Sequence, residues 1–190
     1  MTSEPRRQPD ITNTPASRGL AVRPRRSLQR TVITGLVRGL AGGVVATAAM
    51  SAVMLAAQKA GLLGEMPPEK ITGRLLAAAG LRRKTPEGAR QAFSMLLHFA
   101  FGGASGAAFG VAHELWRTRS RTALRRSHAR RVPLLAGLAF GTAIWASSYA
   151  GWVPALRIMP MPQRDRRGRP TSMVLAHWVF GAVLAKVVAR

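Results

Sequence analysis

The sequence predicts an all-α membrane domain in which four transmembrane helices pack as a bundle. Three observations predict it. Of the 190 residues 47% are hydrophobic, yet 29 Lys and Arg stand against 7 Asp and Glu, a net charge of +22. The charge is gathered in blocks that separate long apolar runs. Within those runs small residues recur at helical spacing, as close packing in lipid requires, because hydrophobicity gives helices no net attraction there.

A helix needs about 20 residues to cross the hydrocarbon, with a range of roughly 17–25. Spans are expected at about 35–58, 91–112, 132–156 and 171–189, within a membrane domain covering 31–190. Lys186 lies inside the last span and can snorkel to the surface. Thr85, Pro86 and Glu87 read as an N-cap, a first-turn proline and a first-turn acid for the second helix. Pro133 opens the third, and Pro154 lies near its end. Trp116 and Trp152 fall near span ends, where amphipathic rings favour the headgroup region. In the first external connector, "PPEKITGRLLAAAG" predicts a short helix opened by Pro67 and Pro68 and closed by Gly80. Its Ile71, Leu75, Leu76 and Ala79 share a face, which suits a helix at the interface or capping the bundle.

Residues 1–30, rich in Arg, Pro, Ser and Thr without apolar periodicity, read as a disordered basic tail. Its "RRSLQR" resembles a twin-arginine export signal, but the apolar run behind it leads into further spans and reads as an uncleaved first helix. Through Arg38 the N-terminal region holds eight Arg against two acids, and seven against one fill His113 to Arg131. The other two connectors hold seven basic against three acidic and five against one. The positive-inside rule then places both termini in the cytoplasm.

"HFAFG" at His98 is echoed by "HWVFG" at His177, and "GLAGG" at Gly39 by "GLAFG" at Gly137. A Met-Pro element, at Met66 and again at Met159, separates the members of each half. The order predicts two related hairpins, parallel repeats about an axis along the membrane normal. Residues four apart share a helix face. His98, Gly102, Gly106 and Gly110 form one small-residue stripe, and His177, Gly181 and Ala185 another. Gly35, Gly39, Gly43, Thr47 and Ser51 form the first helix's seam; Ala139, Ala143, Ser147 and Gly151 are expected to form the third's, with Gly141 also a packing residue.

Ionisable groups inside a membrane are candidates for function, and His98 and His177 are the candidate pair. Three readings are open: each ring bonds a hydroxyl or carbonyl as part of packing, the pair serves a proton-coupled or small-solute pathway, or it ligates haem as two axial imidazoles. No buried Asp or Glu is evident to complete a relay. With no cysteine, thiolate metal sites and cysteine nucleophiles are excluded, and no dedicated metal site is expected. His113-Glu114 does not extend to H-E-x-x-H, because Arg117 holds the second His position, so it reads as a polar pair at the interface. No catalytic constellation is legible.

Arg117, Arg119, Arg121, Arg125 and Arg126 are bound to the membrane on both sides and lack interleaved aromatics. Anionic headgroups explain them better than nucleic acid does, at about 1 kcal/mol per juxtamembrane basic residue. Arg38 reads as an anchor at the cytoplasmic edge.

The segments "GLAGGVVATAAMSAVM", "GEMPPEKI", "HFAFGGASGAAFG", "WASSYAGWVPALRIMP" and "HWVFGAVLA" resemble the YagU-like group of bacterial inner-membrane proteins. The likeness covers roughly Gly35 to Ala185. It implies a small helical protein of the bacterial inner membrane and brings no reaction or cofactor with it. The expected protein is a compact inner-membrane bundle in contact with lipid, able to self-associate through unused small-residue faces.

Overall fold

A computed structural model describes residues 25–119 and 131–190. Six α-helices order the described chain: α1 (Arg25–Lys59), α2 (Pro67–Ala78), α3 (Glu87–Arg119), α4 (Arg131–Ser147), α5 (Val153–Ala155) and α6 (Arg169–Val188). A π-helical turn, Ser148–Trp152, joins α4 to α5, and a 3-10 turn, Pro162–Arg164, lies before α6. No strand occurs among the described residues. Four stretches are long and apolar enough to cross a membrane: Leu28–Lys59, Glu87–Arg117, Leu134–Ala155 and Arg169–Val188. Their outward faces are greasy, with Leu96 64% and Leu135 65% exposed, a surface that only lipid solvates well. The chain is a multi-pass membrane protein with a four-helix bundle.

The helix α1 begins at Arg25, so the end of the segment expected as tail is helical; residues 1–24 lie outside the described residues. Arg119 ends α3, and Arg121, Arg125 and Arg126 also lie outside them.

Glycine sets the closest approaches. Along the α1–α3 interface, a Cβ on Gly39 or Gly43 would overlap the carbonyl oxygen of Gly106 or Gly102. Gly35 faces Gly110 in the same antiparallel register. Gly137 and Gly141 of α4 meet the carbonyl oxygens of Gly181 and His177 in α6. The main interfaces are α1 with α3, α1 with α6 and α4 with α6, giving the lateral order α3, α1, α6, α4. Between α1 and α6 the filling is larger: Met50, Met54, Met173, Phe180 and Leu184 are buried there.

Two expectations are corrected. Ala139, Ala143 and Ser147 point outward, and α4 packs through Gly137 and Gly141 instead. Two four-residue registers of small residues compete on this helix, and the one free of side chains allows the closer backbone approach. Thr85 does not cap α3, because its hydroxyl donates to the Leu81 carbonyl at 2.9 Å.

Helix ends follow from left-handed residues. Gly61 (φ 74°) and Gly80 (φ 70°) terminate α1 and α2. In each case the next amide reaches back to the helix: Leu62 N–H to the Ala57 carbonyl at 3.0 Å, Leu81 N–H to the Leu76 carbonyl at 2.8 Å. Arg157 performs the same role after α5 with φ 55°, where Ile158 N–H reaches the Val153 carbonyl at 3.0 Å.

Candidate functional site

The π turn has a local cause. Pro154 has no amide hydrogen for the Ala150 carbonyl, and its ring would crowd that carbonyl in a regular helix. Widening the preceding turn relieves both, with Gly151 at φ −107°, ψ −106°. Single π turns within α-helices are frequent at functional sites. This one directs Ser148, Tyr149 and Trp152 toward a cavity of about 270 Å³.

The cavity is lined by α1, α2, α3, the α4 end with its π turn, and α6. The flanking helices α3 and α4 meet at Phe109 and Phe140, ring centroids 5.2 Å apart. Farther along α3, toward its N-terminus, the cavity takes in Phe101, His98 and Ser94. Over it lies α2, which packs on α3 and contributes Pro67, Ile71 and Thr72. The walls are mainly Met, Leu, Ile and aromatic side chains.

The structure brings His98 and His177 to this one cavity. They differ in how they are held. His177 Nδ1 lies 2.7 Å from the Met173 carbonyl oxygen one turn back on its own helix. A carbonyl only accepts, so Nδ1 carries the hydrogen. His98 Nε2 is buried without a hydrogen-bond partner. Packing alone therefore accounts for one ring nitrogen of His177 and leaves His98 Nε2 unexplained.

Tyr149 joins the cavity to a polar cluster that the sequence reading missed. Its hydroxyl donates to Asp165 Oδ2 at 2.6 Å, and Arg169 donates to Asp165 Oδ1 at 2.8 Å. Both Asp165 and Arg169 side chains are buried. Arg166 reaches across to the Gly61 carbonyl at 3.1 Å and the Leu63 carbonyl at 3.5 Å, so the connector before α6 grips the one after α1. The sequence signal was faint: the chain's one tyrosine in a charge-free run, and the one acid in an otherwise basic connector.

At the other end of the bundle Glu114 is buried and holds two arginines. Arg117 Nε donates at 3.0 Å, and Arg38 contacts it at 3.4 Å. Glu114 is 3% exposed and Arg38 47%. Of the polar pair expected at the interface, Glu114 is a buried carboxylate linking α1 to α3, and Arg38 is its ion-pair partner. Among the described residues no group of three or more His, Cys, Asp or Glu is placed to hold a metal ion.

No family model, curated protein or solved structure matches this chain.

Proposed function

We propose that this protein takes a small solute into an intramembrane site between its two histidine helices, as the mouth of a small-solute pathway. The observation that carries the reading is the joint lining of one α2-covered cavity by His98 and His177. The orphaned His98 Nε2 supports it, since a buried ring nitrogen is satisfied most simply by something that enters the cavity. In this reading the protein is a YagU-like protein of the bacterial inner membrane with cytoplasmic termini, and its loop arginines rest on anionic headgroups. The parallel placement of Gly39 with Gly137 and of His98 with His177 supports descent of the two hairpins from one repeat. Outward-facing Ala139, Ala143 and Ser147 offer a small-residue face for self-association.

The haem alternative suffers from size. About 270 Å³ lies below the roughly 300–1,000 Å³ of drug-sized pockets, and a porphyrin exceeds most such ligands.

The chain has no cysteine, so single replacements report cleanly. Ser105→Cys lines the cavity, and Ala104→Cys faces outward. In proteoliposomes a small methanethiosulfonate should modify Ser105→Cys from the non-cytoplasmic side and leave Ala104→Cys, in lipid, unmodified. An unreactive Ser105→Cys in folded protein would remove the proposal.

A further inference from the structure

We infer that the cavity selects a small, largely apolar molecule that carries a hydroxyl donor, of the phenol or short-alcohol class. The inference rests on the solute-site reading above and deepens it. It comes from where the protons of the lining groups are already committed. Thr47 Oγ1 donates to the Gly43 carbonyl at 2.7 Å, and Ser148 Oγ donates to the Ile144 carbonyl at 2.6 Å. Tyr149 donates to Asp165 at 2.6 Å, and His177 Nδ1–H is held by the Met173 carbonyl at 2.7 Å. Each hydroxyl has one hydrogen and each uncharged imidazole one N–H. What these four groups still offer is lone pairs: three oxygens and His177 Nε2. All four line the cavity.

The side of the cavity formed by α1, the π turn and α6, where these four groups have their hydrogens spent, sets lone pair against lone pair when a carboxylate or an ether approaches it. It welcomes a group that brings its own hydrogen. The rest of the wall, with Met50, Met54, Leu97, Phe101 and Phe180, suits an apolar body and gives no counter-charge for an ammonium. On the α2 and α3 side Thr72 Oγ1 and His98 Nε2 are unpartnered, so a ligand hydroxyl can give its hydrogen to the first wall and accept from Thr72, which an ether or a carboxylate cannot do on both sides.

The test compares p-cresol, 4-methylanisole and p-toluate by titration calorimetry on the purified full chain in detergent micelles, with empty micelles subtracted. The phenol is un-ionised at neutral pH. It is expected to bind about tenfold or more tightly than the ether and the carboxylate, because a site built for a hydrogen bond rejects the analogue that lacks it. His177→Phe and Thr47→Val should each shrink that ratio while leaving the weak ether affinity in place. Equal affinity for phenol and ether, tighter binding of the toluate, or a ratio untouched in both variants overturns the donor rule and leaves the cavity as a solute site. Absence of binding by all three, with Ser105→Cys also unreactive, overturns both.

Discussion

The phenol of Tyr149 hands its hydrogen to Asp165 at 2.6 Å, and so joins the membrane-embedded π turn to the connector before α6. The same carboxylate neutralises Arg169, only 4% exposed. Asp165→Asn leaves that guanidinium buried without its counter-ion and is expected to destabilise the fold by about 3 kcal/mol. Tyr149→Phe removes one hydrogen bond to a charged acceptor and should cost less, about 1.5 kcal/mol. Unfolding in mixed SDS micelles measures both, and the reverse order would show that Arg169 is neutralised from elsewhere.

The glycine interface between α1 and α3 predicts a contrast. A Cβ at Gly106 would overlap the Gly39 carbonyl and come within 2.5 Å of Gly43 Cα, backbone that cannot swing aside. Gly106→Ala should therefore destabilise by about 2–3 kcal/mol. At Gly73, inside α2, a Cβ meets nothing within 4 Å. Gly73→Ala should stabilise by about 0.5–1 kcal/mol through helix propensity. The same denaturation assay should place the two variants on opposite sides of wild type.

Arg157 occupies the left-handed region at φ 55° on an exposed turn. A side chain there costs about 1 kcal/mol that glycine avoids. Arg157→Gly is expected to raise the thermal midpoint of the purified protein, and a lowered midpoint would mean that the arginine makes a contact worth more than its backbone cost.

Glu114 links α1 to α3 through Arg38 and Arg117. Because both arginines are largely solvated, Glu114→Gln should cost about 1–2 kcal/mol, less than a fully buried pair. A double-mutant cycle with Arg38→Gln isolates the α1–α3 link, and a coupling energy of zero would assign the effect to Arg117 alone.

These sites differ in how far the sequence revealed them. Gly39, Gly43, Gly102, Gly106 and Gly110 were readable because a glycine every fourth residue puts a bare backbone strip on one helix face. On α4 the same rule pointed to Ala139, Ala143 and Ser147, since a helix crowded with small residues carries several such strips and only a partner chooses among them. His98 and His177 could be placed on inward faces, but their shared cavity depends on how α1 and α6 hold α3 and α4, which touch only at Phe109 and Phe140 among the ring contacts described. Asp165 showed only as the one acid of a basic connector. Its burial arises when a connector folds back onto Tyr149, and Tyr149 points there because Pro154 widens the preceding turn.

The lateral order of the helices also governs biogenesis. Since α1 closes on α3, and α4 on α6, the glycine-to-backbone contacts between helices join segments that leave the ribosome close together. The first pair can lock in the bilayer while α4 is still untranslated. The α1–α6 seam, built from methionine and phenylalanine rather than bare backbone, can form only once α6 has been made.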